Sequence, residues 1–308
     1  MAKTADRLLS GVKSRAIVPA SQTLFDDEDI LSFADDVTEQ LMVPLLKAAR
    51  EEYFVTFSVQ AVTSGVRAYD IPYRAVGRGL RDAKLITGTL TRDLAKIAIE
   101  DEHMYTKAGS GTPVGFYFRG DKFVLVPTPS TGSMSLEFWY EMAPSRLVTT
   151  GSAAVVTGFT ATTVTVSTAP STLATGTVVD FVRGRSGNSV LAMDKTITNA
   201  TGSTYTFAAA DVPTDLALGD YVSVAETTPV IQLPNEAYPL LETATTRRVL
   251  AALGDFEGAN VLQKDEDEET KRFKSLIEPR VEGEGTIIIN RRGLLRGSRG
   301  LSRRGYTY

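Results

Sequence analysis

Six arginines, Arg291, Arg292, Arg296, Arg299, Arg303 and Arg304, crowd into residues 290–308 with no acidic residue among them. A guanidinium presents a planar fork of donors that can grip a carboxylate or a phosphate through two hydrogen bonds at once. Glycines and serines separate these arginines, and Leu294, Leu295, Leu301, Tyr306 and Tyr308 recur between and after them. The segment carries too few apolar residues to fold alone and reads as a flexible basic arm. A purely electrostatic tail has no use for the leucines and tyrosines, whereas an arm that orders on an acidic, grooved protein partner uses both sets.

Other chemistry is thinly represented. With no cysteine there is no disulfide framework, thiol nucleophile or iron–sulfur centre, and the single histidine, His103, excludes a histidine-rich zinc site. His103 follows Asp101 and Glu102, but no Ser nucleophile motif accompanies it, so a surface or hydrogen-bonded role is expected. Asp265–Glu269 is the densest acidic run; it lacks the alternating ligands and turn glycine of a calcium loop and is expected to be a solvated helical face. Asp26–Asp29 suits a helix start. Gly77-Arg78-Gly79 and Gly109-Ser110-Gly111 lack the Lys-Ser/Thr ending of a phosphate-binding loop and the full dinucleotide spacing. Trp139, within Phe138-Trp139-Tyr140, is expected to pack in a core rather than to stack on a ligand. No catalytic residue, metal ligand or cofactor site is expected, and the chain reads as a non-enzyme.

The elements that must position the arm follow from periodicity. Ile30, Ala34, Val37, Leu41, Leu45 and Ala48 recur at steps of four, three, four, four and three, one face of a helix between Thr23 and Glu52. Pro44 should bend it or break its hydrogen-bond ladder. Tyr53–Val59 then alternates with a period of two. Strands are expected again at 67–71, 116–118, 122–126 and 135–141, with a hairpin turn at Gly120-Asp121 and a helical turn around 90–101. After Pro234, Asn235 is expected to cap a helix running to Leu253, with Leu240, Leu241, Ala244, Val249 and Ala252 buried. Gly254 ends that helix and Asp255 caps a second one that stops before Pro279. So tight a link makes the two an antiparallel hairpin, with the N-terminal helix as the third member of a bundle.

Residues 148–229 differ in composition: 19 of 82 positions are Thr and nine carry a charge. Val156, Thr157, Thr163, Val164, Thr165 and Val166 match Ile197, Thr198, Thr204, Tyr205, Thr206 and Phe207 at an offset of 41. Pro170, Leu173, Gly176, Val178, Val179 and Phe181 match Pro213, Leu216, Gly219, Tyr221, Val222 and Val224 at an offset of 43. The segment reads as a tandem duplication of one β unit, each copy comprising two short strands, a Pro-x-x-Leu-x-x-Gly turn and a third strand. Two such units are expected to pack on one another as a small barrel or sandwich. The expected fold class is therefore α+β: a helical part (1–52), a β-rich domain (53–147), an inserted duplicated β domain (148–229), a helix hairpin and strand (230–289), and the arm (290–308). Residues 1–15 lack the apolar centre of a signal peptide, and the longest uncharged stretch, 147–179, is too rich in Thr, Ser and Gly to span a membrane.

Framework motifs add a family resemblance. Asp70-Ile71-Pro72-x-Arg74-Ala75-Val76-Gly77-x-Gly79-Leu80-Arg81-Asp82 is followed by Gly115-Phe116-Tyr117 and Leu125-Val126-Pro127-x-Pro129. Leu253-Gly254-Asp255-x-Glu257-Gly258 and Pro279-Arg280-Val281-Glu282-Gly283 complete the set. In these motifs the chain resembles the head-to-tail adaptor (connector) proteins of tailed bacteriophages. The resemblance implies a structural virion protein at the head–tail junction, assembled in the host cytoplasm as a twelve-membered ring. It further implies docking beneath the portal protein through the helices and the arm, with Arg291 to Arg304 on portal carboxylates, and a β part turned to neighbouring subunits or to the next tail or neck component. DNA then passes through a channel without specific binding, and no membrane is involved.

Two other readings compete with this one: a nucleic-acid-binding module gripping phosphates with the arginine arm, and a carbohydrate-binding adhesion protein built on the Thr-rich duplication. The charge distribution bears on the first. The net charge is −4, but taking the arm's six arginines from the 33 basic residues leaves 27 against 37 acidic ones, a net −10 for residues 1–289. An acidic body carrying a basic arm favours assembly over DNA binding.

Overall fold

The computed structural model describes residues 3–17, 25–105, 109–185, 187 and 190–277. It is a mixed α+β chain with several sheets. Three helical segments come first. Helix α1 (Ala5–Arg15) is a helix that the Leu8-Leu9 pair had not signalled: Thr4 caps it and Ala5, Leu8, Leu9 and Val12 form its buried face. Helix α2 (Asp27–Val37) opens on a reciprocal capping box between Asp26 and Asp29, which satisfies two orphan backbone donors. It continues through one π turn, Thr38–Met42, into α3 (Val43–Ala49).

That π turn corrects the expected stripe. The ladder widens so that the Val43 amide bonds the Thr38 carbonyl, and Pro44 enters within the first turn of α3, where its missing N–H is harmless. Inserting one residue rotates the later turns of the helix by about 100°. Ile30, Ala34 and Val37 are buried as expected, but beyond the π turn Met42 and Leu46 occupy the core positions, Leu41 and Leu45 are half-buried, and Ala48 is exposed.

The β-rich part contains β1 (Val55–Ala61), β2 (Ala68–Asp70), β3 (Asp82–Thr87), β4 (Leu90–Asp93), β5 (Ala95–Lys96), the short helix α4 (Glu102–Tyr105), β6 (Ser110–Gly111), β7 (Gly115–Arg119), β8 (Lys122–Val126), β9 (Thr128–Pro129) and β10 (Met134–Glu141). They form two four-stranded sheets, β1-β10-β3-β4 and β2-β8-β7-β5, and a small β6-β9 pair. Leu85, Leu136 and Phe138 from the first sheet share one core with Phe116, Phe123 and Leu125 from the second, where the Phe116 and Phe123 rings stack at 4.3 Å. Gly120, at φ +60°, makes the β7–β8 hairpin as expected. The helical turn expected around 90–101 is instead mostly strand: Gly88, at φ +60°, turns the chain between β3 and β4, and the helical residues begin only at Ile99.

The Thr-rich part contributes β11 (Arg146–Leu147), β12 (Ala154–Phe159), β13 (Thr163–Val166), β14 (Val178–Val182), β15 (Val190–Thr196), β16 (Asn199–Thr201), β17 (Thr204–Thr206), β18 (Tyr221–Val224) and β19 (Thr227–Thr228). Seven of them form one sheet in the order β15-β14-β18-β12-β13-β17-β16. Its end strands do not pair, so no barrel closes, which removes the barrel from the two arrangements, barrel or sandwich, expected from the sequence. The matched residues nevertheless make matching bonds. Gly176 N–H donates to the Ile197 carbonyl and Gly219 N–H to the Val156 carbonyl; Val166 donates to Ser203 and Phe207 to Thr162. Each of these bonds runs from one repeat to the other and has its counterpart in the reverse direction. β13 pairs with β17 about Val164↔Tyr205, and β14 with β18 about Asp180↔Ser223, each centred on equivalent residues. Gly184 lies so close to the second turn that an added Cβ would overlap the Gly219 carbonyl oxygen. Gly184→Ala is expected to destabilise the fold by about 1–3 kcal/mol, read from its urea midpoint.

Helices α5 (Tyr238–Ala252) and α6 (Phe256–Ile277) close the described chain. Asn235 does not cap α5. It lies in a 3-10 turn, and the cap position falls on Ala237, which makes no side-chain bond. Leu240, Leu241, Ala244 and Val249 are buried as expected, whereas Ala252 is exposed. Thr243, Thr245 and Thr246 are also buried, so α5 is enclosed on most sides. Gly254 ends it at φ +85°, and Asp255 accepts from Gly258 N–H to start α6. Residues from α1, α2, α3, α5 and α6 share a single buried core.

Candidate assembly surfaces

The eleven arm residues singled out in the sequence, Arg291, Arg292, Leu294, Leu295, Arg296, Arg299, Leu301, Arg303, Arg304, Tyr306 and Tyr308, all lie outside the described residues. The last described element before them is α6, which carries the acidic run. That run is not uniformly solvated. Asp265, Asp267 and Glu268 are exposed, but Glu266 turns onto α5, where Arg247 Nε donates to it at 2.5 Å and Nη2 at 3.3 Å. The expected solvated face thus gives up Glu266 to lock the helix hairpin, and Glu269 is half-buried as well.

Trp139 requires a second correction. Along β10 buried and half-buried residues alternate strictly, and Phe138 and Tyr140 take the inward positions. Period two therefore turns Trp139 outward, and the same alternation could have been read from Met134, Leu136, Phe138 and Tyr140 in the sequence. Trp139 lies against Phe57 of β1, ring centroids 5.2 Å apart, with the Lys84 ammonium 5.6 Å from its ring centroid. Beside it Glu52, Val55, Arg81, Asp82 and Lys84 help line a cavity of about 400 Å³. Phe57 and Val59 are 50% and 56% exposed, an apolar patch on a face that also carries Glu137, Lys84 and Asp82.

A third feature fixes the Thr-rich part to the rest. Arg74, in the loop after β2, is 5% exposed and forks onto the fully buried Asp180 of β14 at 2.7 and 3.0 Å, with Asp194 of β15 at 2.9 Å from the same guanidinium. Asp180 also accepts the backbone N–H groups of Asp194 and Glu226, each at 3.0 Å. Burial pushes the Asp180 carboxyl upward, and Arg74 and these amides pull against that rise. The two strands that carry the chain into and out of the insert, β11 and β19, pair in parallel. Asp35 of α2 accepts from Leu147 N–H at 3.0 Å, and Asp6 of α1 holds Thr150 through both its amide and its hydroxyl. Arg74 appeared in the sequence only as part of a framework motif; nothing in the spacing linked it to Asp180, which is 106 residues away.

The remaining candidates are ordinary. His103 Nδ1 lies 2.8 Å from the Glu100 carbonyl on an exposed turn. Gly77 and Arg78 both adopt positive φ, and the Arg78 guanidinium returns to the Ile71 carbonyl at 3.2 Å. Gly111 pairs through β6 with β9. None of these groups assembles a nucleophile with a base.

A sequence model of the SU10 adaptor protein family matches residues 3–183, more than half of the chain. The chain belongs to that family. As an SU10 adaptor protein it is a structural component of a bacteriophage particle and not an enzyme. The matched span runs from the start of α1 through the β-rich part and ends one residue past β14, within the Thr-rich part. No curated protein matches the chain.

Proposed function

We propose that this adaptor protein forms a closed twelve-membered ring at the head–tail junction, docks beneath the portal, and passes DNA through its channel without binding it specifically. The observation that carries the reading is the family membership joined to the charge division: a body of net −10 with six arginines and no acid in its last 19 residues. The arm, from Arg291 to Tyr308, is the portal-docking element. Its arginines take portal carboxylates, and Leu294, Leu295, Leu301, Tyr306 and Tyr308 fill apolar hollows between them. Each arm contact is weak, and repetition around a ring multiplies them into lasting attachment. The Thr-rich insert, held at its stem and by Arg74, serves as a fixed collar toward the tail or neck component.

Particle imaging of the purified protein with and without portal tests the ring. Twelve-fold rings beneath the portal sustain it, and monomers that ignore the portal overturn it. Truncation after Ile289 tests the arm. Portal binding is expected to weaken at least a hundredfold while the thermal midpoint of the truncated chain moves by no more than a few degrees, and undiminished binding removes the arm from its role. Should the arm grip phosphate instead, DNA affinity would fall steeply with salt, by a slope of about 0.9 for each phosphate contacted.

A further inference from the structure

Sheet edges expose unpaired backbone groups, and soluble proteins guard them with charges, prolines, bulges or brevity. Most edges in this chain are guarded. β2 and β5, at the ends of the second sheet, are three and two residues long. In the insert, β16 has three residues, and β15 carries Asp194 and Lys195. β1 is the exception among the described strands. Its seven residues, Val-Thr-Phe-Ser-Val-Gln-Ala, include no charge and no proline. It pairs with β10 without a break in register from Val55↔Glu141 to Ala61↔Ser135, so no bulge twists it away. Among the described strands nothing pairs with its other side.

The opposite edge of the same sheet is β4, Leu-Thr-Arg-Asp, short and carrying Arg92 and Asp93 but with all four residues exposed, Leu90 by 60%. We propose that β1 of one copy receives β4 of the next, so that the four-stranded sheets join edge to edge into a continuous sheet around the assembly. Strand direction supports this pairing. β1, β10, β3 and β4 alternate antiparallel, and four is an even number. A head-to-tail neighbour therefore presents β4 antiparallel to β1, the stronger of the two ladders, with no reversal of the pattern. The two edges differ, as a heterologous, ring-forming contact requires. Thr91 shares the outer face with Phe57 and Val59, since it pairs with Ile86, which faces Ser135, which faces Ala61. The join sets a β-branched side chain beside the exposed aromatic patch, a favourable cross-strand combination.

This inference rests on the ring reading and is tested separately from it. The chain has no native cysteine, so introduced pairs report cleanly. Thr91→Cys is combined in turn with Val55→Cys, Phe57→Cys and Val59→Cys. Within one copy β1 and β4 are three strand spacings apart, about 14 Å, beyond disulfide reach, so any bond formed joins two copies. At least one pair is expected to give a disulfide ladder on oxidation. Phe57→Lys/Val59→Lys, at positions already exposed, is expected to weaken self-assembly at least tenfold, while loss of the Phe57–Trp139 contact lowers the monomer melting temperature by no more than a few degrees. Rings that form normally in the lysine variant, with no ladder from any pair, overturn the edge contact and leave the ring standing. A disulfide dimer from Val59→Cys alone shows β1 meeting itself and overturns the β4 assignment. A wild-type chain that stays monomeric even with portal overturns both readings.

Discussion

Arg74→Met is expected to lower stability by about 3–5 kcal/mol, because it leaves the fully buried Asp180 carboxyl without its cation. The pair is bidentate, and Asp180 uses its remaining capacity on the Asp194 and Glu226 amides. Removing the arginine therefore strips two charge-assisted hydrogen bonds from a group that water cannot reach. Asp180→Asn should cost less, since one carbonyl oxygen remains for an amide. The double variant should cost less than the sum of the two, as expected for residues in direct contact. Urea unfolding gives the free energies, and hydrogen exchange locates the loss. Protection should fall first in β14, β15 and β18, while α5 retains its own. A shift below 1 kcal/mol for Arg74→Met would show that the insert is held chiefly by its stem.

Asp35→Asn should act in the opposite direction. Burial, aided by the charges of Glu39 and Asp36, pushes the Asp35 carboxyl up to about 7, against the Leu147 N–H and the charge of Arg146. A carboxyl whose pKa is higher in the folded state binds more protons there than in the unfolded chain. Stability therefore falls as pH rises from about 4 to about 7 and then levels off. The asparagine carries no charge to penalise and still offers an oxygen to Leu147. At pH 8 it is expected to stabilise the fold by about 2 kcal/mol, the full linkage value being reduced because Asp35 is partly open to solvent. The advantage should shrink on acidification and vanish below pH 4, where both side chains are neutral. Parallel melting curves across pH 3–9 check this, and a constant gap at every pH would refute it.

Much of the framework was legible in the residues. Alternation located β7, β8 and β10, and the offsets of 41 and 43 paired residues that turn out to make reciprocal hydrogen bonds. What escaped was set by tertiary geometry. The π turn moved the buried face from Leu41 and Leu45 to Met42 and Leu46, a one-residue slip invisible to a period count. Glu266 belongs to an acidic run by composition and to a helix interface by position. Arg74 and Asp180 are far apart in sequence, and neither residue alone announces a buried pair. The candidate arm was visible from composition, while the uncharged edge of β1 became meaningful only once the sheet order showed it to be an edge.

The interleaving of the two repeats has a consequence during synthesis. β14 has ladder partners only in β15 and β18, and the first turn closes onto the Ile197 carbonyl, so the first repeat leaves the ribosome with its last strand unable to pair. The very start of the chain waits longer: Thr4 bridges to Val230, and the Ala5 amide bonds the Pro229 carbonyl. Translation must pass residue 230 before the head of the chain can settle. Contacts of such long sequence separation make for slow, concerted folding. Until then the uncharged, β-prone segments of the nascent chain lack their partners, the condition under which incompletely folded chains aggregate.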